Sequence, residues 1–517
     1  MFRTLRNIGR LCAMGRTLAR HDALFPLEAA GFSPRLVGLT RRILAAGAKR
    51  PPDVLTPRPG QRLAAALQAL GPSFIKLGQG LSVRSDMIGE ELADDLSALQ
   101  DRLPPFPGGA AIAAIEQEFG RPIGDLFTEF DEEPVAAASI AQVHFATTTE
   151  GAEVAVKILR PGIEQAFAND LELLRWLAEQ AQKYVASIRR LRPVDVIDTM
   201  ADTVAMEMDL RLEAAAGDEL RTNFADDPRF RVPEMDWTRT GLRVLTLERI
   251  AGVPADEVAI LQEAGHDLEA LVANMARAFF LQVFRDGFFH ADLHPGNLLI
   301  ADDGAIQAID FGIMGRVDKR TRYYLAEMLI GFLTADYGRV SAVHFRAGYV
   351  PADQSQEAFA QAARAIAEPI MGLPLKDISL ARLLAQLFQI TDRFQMEAQP
   401  QLLLLQKTML VAEGVGRRLY PETNMWELAR PLIESWMSDA MTPEARAAEA
   451  MGEAGQLLER LPAMIADMGE SVSTLARDGL KLHPETLDAM TGGGREKPRW
   501  PYWAGAALVV AGVIAAL

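Results

Sequence analysis

Two stretches decide how this chain folds: His290-Ala291-Asp292-Leu293-His294-Pro295-Gly296-Asn297 and, a little further on, Ile309-Asp310-Phe311-Gly312. Asp292 and Asn297 lie five positions apart, and a hydrophobic segment delivers Asp310 to a tight turn. The residues between the two stretches predict a hairpin, which would bring both carboxylates to one edge. Carboxylate and amide oxygens are ligands that magnesium prefers, so these stretches predict a magnesium site.

Two hairpins are predicted, one on each side of a long helical stretch that runs from about residue 163 to about residue 224. The first joins strands over 143–147 and 154–159, and the second joins strands over 297–300 and 305–309. Lys157 lies on the first hairpin, in the tetrapeptide Val-Ala-Val-Lys. A strand lysine is usually only an exposed charge, but protein kinases use one here to grip the α- and β-phosphates of ATP.

In this order and spacing, the lysine and the three later polar residues match the site of a protein kinase. Asp292 is positioned to orient the attacking hydroxyl or water, or to accept its proton, and Asn297 and Asp310 are positioned to hold magnesium. The set implies ATP and Mg²⁺ as cofactors. His290 and His294 are expected to brace the loop; the alternative, a transition-metal site, has no evident third ligand in the sequence.

The segment before the first hairpin departs from the kinase pattern. Protein kinases place a glycine-rich loop over the phosphates, whereas this chain has Ala136, Ala137, Ala138 and Ser139 there and no glycine. Alanine does not take a positive φ cheaply, so the loop is not expected to follow the phosphates closely. We expect these four residues to contact nucleotide with altered affinity or geometry.

The order of these features predicts an α+β, protein-kinase-like fold of two lobes with added segments at both ends. A chain of 517 residues is too long for a single compact core. The predicted units are a basic amphipathic segment and linker (1–60), a helical extension (61–130), an N-lobe with a helical insertion (131–255), a C-lobe (256–430), C-terminal helices (431–490), and a linker with a membrane helix (491–517).

Net charge and cysteine content limit which partners and which cellular compartment are expected. The formal net charge is −16, and nucleic-acid binders need a basic footprint, so nucleic acid is not an expected partner. Cys12 is the single cysteine, which excludes an internal disulfide framework and a Cys/His zinc pattern. These features favour a reducing, cytoplasmic compartment.

The N-terminal segment is basic and amphipathic. Its arginines share one side of a helical wheel, and no acid precedes Asp22; they are Arg3, Arg6, Arg10, Arg16 and Arg20. Such a helix is able to lie on an anionic membrane surface. An ordinary helix that docks on the body of the protein is an equally good interpretation.

The C-terminal segment has the order of a membrane-entering helix. Basic residues precede Trp500, Tyr502 and Trp503, and the run from Ala504 to Leu517 has no polar side chain. This order predicts an anchor whose flank lies on the cytoplasmic face of the inner (plasma) membrane. The run is near the lower length limit for spanning, so a single pass and partial insertion both remain open. Its small residues would also allow two such helices to pack as a homodimer.

A helical segment upstream of the hairpins carries Lys76 and Gln79 among apolar residues, in the pattern Lys-x-Gly-Gln. Polar residues there could form only a solvated face. Together with the alanine-rich loop, Asp-x-His-Pro-Gly-Asn and Asp-Phe-Gly, however, the pattern resembles the UbiB/ADCK family of atypical kinases. The resemblance covers about residues 63–317. It implies that Lys76 and Gln79 belong to a regulatory helical extension that covers the active site, and it makes Lys76 a candidate catalytic residue beside Lys157 and Asp292.

The resemblance also implies roles for residues that the motifs alone do not assign. Glu207 and Asp209 match a Glu-x-Asp motif that would contact the extension, and Glu213, on the same helix, would pair with the strand lysine. Glu248 and Ile250 lie in a segment that is similar to the hinge that meets adenine through backbone groups.

Members of this family are thought to be ATPases that support ubiquinone biosynthesis by handling hydrophobic precursors at membranes. The resemblance therefore implies a membrane-associated, magnesium-dependent ATPase, with membrane lipids, quinone precursors and ubiquinone-biosynthesis proteins as partners. One alternative is a phosphotransferase that acts on a protein or a small molecule. The absence of an Ala-Pro-Glu segment after Asp310 makes protein phosphorylation the weaker interpretation. A second alternative, motivated by the missing glycines, is a catalytically silent lipid-binding scaffold.

Overall fold

The computed structural model describes residues 2–25, 58–82, 88–97, 104–184, 193–370, 393–396, 400–423 and 425–440, with the isolated residues 38, 99, 390 and 391. The predicted membrane segment at 500–517, most of the predicted C-terminal helices and much of the first linker lie outside these ranges. Among the helices inside them, none has the length and apolar character needed to cross a membrane.

The described helices at the start of the chain include α1 (Phe2–Arg20), α2 (Pro59–Leu70), α3 (Pro72–Ser82) and α4 (Glu90–Ser97). Helices α2, α3 and α4 pack around one apolar cluster, to which α1 adds Met14 and Leu18. Because this apolar face of α1 meets other helices, the docked interpretation of the N-terminal helix is the one the structure shows.

A polar contact fixes the same docking. Arg10 of α1 donates to the carbonyl of Asn169 at 2.6 Å and to Oδ1 of Asp170 at 2.5 Å. The other carboxylate oxygen of Asp170 accepts from the buried Ser73 hydroxyl of α3 at 2.7 Å. One carboxylate therefore joins the N-terminal helix to the helix that carries Lys-x-Gly-Gln.

The first sheet contains the lysine strand at its centre. After α5 (Gly108–Phe119), its strands are β1 (Phe127–Phe130), β2 (Ala136–Ala137), β3 (Ala141–Thr148), β4 (Glu153–Leu159) and, later in the chain, β6 (Val244–Glu248). The order is β1–β3–β4–β6, and β2 pairs with β3. Lys157 lies opposite Val143 on one side and Leu245 on the other. The first predicted hairpin is confirmed.

The region predicted as one long helical stretch contains three helices: α6 (Ile163–Tyr184), α7 (Pro193–Glu207) and α8 (Leu210–Asn223). The chain breaks after Glu207 because the side chain of Asp209 accepts from the N–H of Arg211 and caps a new helix. The prediction that Glu207 and Glu213 share a helix is therefore wrong; they lie on α7 and α8.

The second half of the kinase-like region is built on short strands. Strands β5 (Phe230–Arg231), β7 (Val253–Pro254), β9 (Leu298–Ile300) and β10 (Ile306–Ala308) form a sheet in the order β5–β10–β9–β7. Strands β8 (Phe288–His290) and β11 (Met314–Arg316) form an antiparallel pair. The second predicted hairpin is confirmed as β9 and β10, so the chain between Asp292 and Asp310 turns back on itself.

Helices complete this half of the molecule. They are α9 (Val258–Glu263), α10 (Leu268–Phe280), α11 (Lys319–Leu333), α12 (Tyr337–Arg346), α13 (Gln356–Ala367), α14 (Pro400–Leu419) and α15 (Met425–Ala440). Helix α10 continues as a π-helical turn, Leu281–Asp286. One apolar core includes Phe311, Leu293, Leu405 and Met437, so the loops that carry the candidate site rest on packed helices.

Candidate active site

Lys157 lies at the centre of the site and contacts two carboxylates. Its Nζ donates to Oε1 of Glu213 at 2.6 Å and to Oδ2 of Asp310 at 3.2 Å. The side chain of Glu213 is 7% exposed, whereas that of Asp310 is 43% exposed. The structure thus brings together the lysine of the first hairpin and the acid beyond the second. Glu213 is the buried anchor, and Asp310 is the carboxylate that a ligand can reach.

Burial and charge act in opposite directions on these three groups. Burial favours a lower pKa for Lys157, but the carboxylates of Asp310 and Glu213 outweigh it and raise that pKa. Burial favours a higher pKa for Asp310, but Lys157 and the N–H of Gly312 lower it to about 2. For Glu213, burial outweighs the attraction of Lys157 and raises the pKa. On acidification, Glu213 therefore takes up a proton before Asp310.

The loop from His290 to Asn297, called the catalytic loop below, is held by its own polar residues. Nδ2 of Asn297 donates to the carbonyl oxygen and to Oδ2 of Asp292, at 3.0 Å each. His290 accepts from the N–H of Asp292 through Nδ1 at 3.1 Å, and its Nε2 lies 2.5 Å from the carbonyl oxygen of Asp310. Burial lowers the pKa of His290, which suits a neutral ring that accepts at Nδ1 and donates from Nε2. His290 therefore links Asp292 to Asp310.

The oxygens that remain in this arrangement fit magnesium. Because Asp292 engages the amide nitrogen of Asn297, the amide oxygen is the atom that would face a cation. Asp310 offers a largely ionised carboxylate with a low pKa. Magnesium is bound through one or two such protein oxygens together with substrate phosphates. Asn297 and Asp310 would thus hold the ion, which would neutralise charge on the phosphates.

The alanine-rich loop is a tight turn that a neighbouring arginine holds. After β2, which carries the first two alanines, the N–H of Ala138 donates to the carbonyl of Ala141 at 2.8 Å. The carbonyl of Ala138 accepts from Nε and Nη2 of Arg160 at 3.0 and 2.8 Å. No residue of the loop has a positive φ. Within the described ranges, the buried hydroxyl of Ser139 has no hydrogen-bond partner, which suits a group that awaits a ligand.

The predicted hinge lies between the two sheets. Glu248 ends β6, and its N–H donates to the carbonyl of Glu234 at 2.8 Å. Ile250 follows in the connection to β7. A Cβ at Gly252 would lie 2.7 Å from the carbonyl oxygen of Ile300, so this connection passes tightly over β9. Contact of Glu248 and Ile250 with adenine stays a prediction.

The Lys-x-Gly-Gln helix meets α7. Nζ of Lys76 lies 2.9 Å from Oε2 of Glu207, and both side chains are 13% exposed. Gln79 lies on α3 almost one turn further on. Asp209, in contrast, pairs with Arg211 and caps α8. The structure therefore brings Lys76 to Glu207, and Asp209 serves its own helix.

Two buried polar residues near the catalytic loop escaped the sequence analysis. Oε1 of Gln282, in the π-helical turn, accepts from the N–H of His290 at 2.8 Å. The hydroxyl of Thr408, on α14, lies 3.1 Å from the carbonyl oxygen of Ala291. The sequence signal that could have found them is a polar residue at a core position of an apolar helix. Buried polar groups are normally hydrogen-bonded, so such a residue predicts a hydrogen-bond partner nearby.

Known proteins match this chain in two regions and along most of its length. Residues 98–344 match the family described as "ABC1 atypical kinase-like domain", and residues 363–424 match "UbiB helical domain". A Marinobacter nauticus protein named "Probable protein kinase UbiB" is 44% identical over 410 residues, covering 78% of this chain and 75% of that protein. An Azotobacter vinelandii protein of the same name is 45% identical over 405 residues, with the same coverage of both chains.

A solved structure is also similar. It is described as "The complex structure of Rv3197-erythromycin from Mycobacterium tuberculosis", and it covers 72% of this chain and 95% of its own. The sequence identity is 27% and the TM-score is 0.49.

Proposed function

Because this chain belongs to the UbiB family of atypical kinase-like proteins, we propose that it is a magnesium-dependent ATPase that supports ubiquinone biosynthesis. The observation that carries the ATP-dependent part is the contact of Lys157 with both Glu213 and Asp310. Kinase-like enzymes require a strand lysine and its helix glutamate to be paired before they act on ATP. Here that pairing is in place.

Each residue of the site has a part in this reaction. Lys157 would bind the α- and β-phosphates, and Asn297 and Asp310 would hold magnesium on the phosphate oxygens. Asp292, whose carboxylate accepts a hydrogen bond from the amide of Asn297, would orient the attacking water. When bound, the cation supplies charge neutralisation for the leaving phosphate.

The short segment after Asp310 favours hydrolysis over transfer to a protein. The chain enters β11 at Met314 and α11 at Lys319, so only a few residues separate Asp-Phe-Gly from the next helix. Protein kinases place a long activation segment there, ending in Ala-Pro-Glu. This chain has little room for such a protein-docking loop.

Phosphate release by the purified protein tests the proposal. We expect magnesium-dependent release that EDTA abolishes and that Asp310→Asn lowers at least about a hundred-fold, because the variant loses the ionised metal ligand. Asp302→Asn, on the exposed β9–β10 turn, is the matched control and should retain full activity. Should wild type not turn over ATP at all, with or without anionic liposomes, the scaffold alternative would stand instead.

Phosphate transfer is the second candidate, and the name "Probable protein kinase UbiB" of the relatives favours it. Labelled ATP, offered with candidate protein and small-molecule acceptors, separates the two. Efficient labelling of an acceptor in place of free phosphate would overturn the ATPase proposal.

Action at the membrane completes the proposal. We propose attachment to the cytoplasmic face of the inner membrane through residues 500–517, with membrane lipids or quinone precursors as partners. Deletion of those residues should move the protein to the soluble fraction; persistence in the membrane pellet would assign attachment to another part. A cell that lacks the protein should lose ubiquinone, and wild type but not Asp310→Asn should restore it.

A further inference from the structure

The backbone of the catalytic loop at Ala291 is buried and fully hydrogen-bonded. The N–H of Ala291 donates to the carbonyl of Ile313 at 3.0 Å. The N–H groups on either side are taken by Gln282 and by the ring of His290. The carbonyl of Ala291 has the Thr408 hydroxyl at 3.1 Å, and no other donor in the described part of the chain reaches it.

Thr408 comes from outside the kinase-like region. It lies on α14, within the residues that match the UbiB helical domain, whereas Ala291 lies within the ABC1 match. Its side chain is completely buried, and its helix neighbours Leu405, Val415 and Leu419 belong to the same core as Leu293 of the loop. Valine has the same shape without the polar atom, so packing alone does not require threonine here.

The hydroxyl has a second acceptor, the carbonyl of Leu404, at 2.8 Å. That oxygen lies one helical turn before Thr408, and helical threonines often contact it. The Leu404 carbonyl, however, already has the N–H of its own helix as a donor. The Ala291 carbonyl has only the hydroxyl, and a buried carbonyl without a donor is costly. Loss of the hydroxyl would therefore leave the Ala291 carbonyl without a donor, whereas the Leu404 carbonyl would keep one.

We infer that Thr408 is a positioning residue through which the helical domain fixes the catalytic loop that presents Asp292. Asp292 directly follows the carbonyl that Thr408 holds, so loss of the hydroxyl would let its carboxylate drift from the attacking water. Lys157 contacts Glu213 and Asp310 directly, without a contribution from Thr408. The inference rests on the proposed ATPase activity, and it makes the helical domain part of the active site's scaffold.

Thr408→Val tests this in the full-length protein. We expect kcat for phosphate release to fall about ten-fold or more, since small misplacements of a catalytic group are costly, with KM for ATP within about two-fold of wild type. Thr408→Ser, which keeps the hydroxyl, should restore most of kcat. A variant damaged only in stability would instead lose soluble protein or Tm and would not show this selective loss.

Thr423→Val is the matched control, because Thr423 is also buried near the end of the same domain and its hydroxyl has no partner among the described residues. It should leave kcat and KM unchanged. A normal kcat in Thr408→Val, or a loss that serine does not rescue, would overturn the inference.

Hydrogen exchange separates this inference from the proposed function. In Thr408→Val, peptides that contain residues 288–297 should exchange faster than in wild type, whether or not ATP is turned over. Unchanged exchange there would also reject the positioning role. An inactive wild type with faster exchange in the variant would reject the ATPase proposal and keep the loop contact.

Discussion

Gly217 of α8 lies directly against the ring of Phe311. A Cβ atom at Gly217 would be 2.8 Å from Cδ2 of Phe311 and 2.3 Å from the terminal methyl of Met235. Phe311 is almost completely buried and follows Asp310 in the chain. The helix that supplies Glu213 to the lysine therefore also supports the aromatic residue beside Asp310, and only glycine permits this close approach.

Gly217→Ala should destabilise the protein by about 1–3 kcal/mol, because the added methyl overpacks a filled core. It should also lower kcat/KM for ATP, since Phe311 and the adjoining Asp310 must shift. Chemical denaturation and steady-state kinetics measure the two effects. Gly414→Ala, in α14, is the control: its Cβ would meet no atom within 4 Å, and it should stabilise the helix by up to about 1 kcal/mol. Equal stabilities of the two variants would contradict the packing argument.

The raised pKa of Glu213 predicts the acid limb of the pH profile. Protonation of Glu213 removes one of the two negative partners of Lys157, while Asp310, with a pKa of about 2, remains ionised. We therefore expect kcat/KM for ATP to fall as pH decreases and Glu213 becomes neutral. In Glu213→Gln the rate at neutral pH should be lower and the acid limb should move to lower pH. An unchanged limb in this variant would assign it to another group.

The same groups affect stability with opposite signs. The pKa of Asp310 is lowered by folding, so its contribution is present above its unfolded pKa and disappears as pH falls through about 2. The pKa of Glu213 is raised by folding, so its ionised form costs stability as pH rises through that raised value. Glu213→Gln should therefore flatten the dependence of the unfolding free energy on pH between the unfolded and folded pKa values of the glutamate.

The ion pair of Lys76 and Glu207 should be worth more than a surface pair. Both side chains are mostly buried, so we expect a coupling energy of about 1–2 kcal/mol, between the values of exposed and buried pairs. A double-mutant cycle of Lys76→Met and Glu207→Gln, followed by thermal denaturation, measures it. Arg175 and Glu179, each more than half exposed at 3.7 Å, provide a control with a coupling below about 0.5 kcal/mol. Similar couplings for both pairs would refute the expectation.

Ala138→Gly should change nucleotide binding. Glycine admits the positive φ that alanine avoids, so the turn would follow the phosphates more closely. We expect the Kd for MgATP to fall about two- to five-fold in calorimetry. Ala152→Gly, at the exposed end of the β3–β4 hairpin, should leave Kd unchanged. An unaltered Kd in Ala138→Gly would argue against placing this loop over the phosphates.

The two hairpins and the approach of Lys157 to Asp310 were the parts that sequence could predict. Each hairpin has a local turn signal, and residues such as Asp310 follow a strand directly, so their neighbourhood is fixed by nearby residues. The pairing of Lys157 with Glu213 was predicted only through the family resemblance, because 56 residues separate the two. Nothing in the spacing alone shows that α8 turns Glu213 towards the sheet.

The contacts that sequence missed depend on distant packing. Thr408 contacts Ala291, which lies 117 residues earlier in the sequence. Nothing in the sequence around Thr408 distinguishes it from other residues of an apolar helix. The break between α7 and α8 was missed because alanine-rich helical residues lie on both sides of it. In the structure, the start of α8 at Asp209 is also marked by a distant contact, in which the N–H of Leu210 donates to the carbonyl of Leu242. The docking of α1 on the rest of the protein likewise involves a distant residue, because Arg10 pairs with Asp170. The sequence around α1 does not reveal this partner.

The separation of Arg10 and Asp170 in the sequence has a consequence during synthesis. Asp170 lies 160 residues after Arg10, and chains are made at about 5–20 residues per second. Roughly 8–30 seconds therefore pass between the synthesis of Arg10 and that of its partner carboxylate. During that interval α1 lacks the carboxylate that holds it in the folded protein, so its apolar face has to be covered, if at all, by other surfaces than its native one.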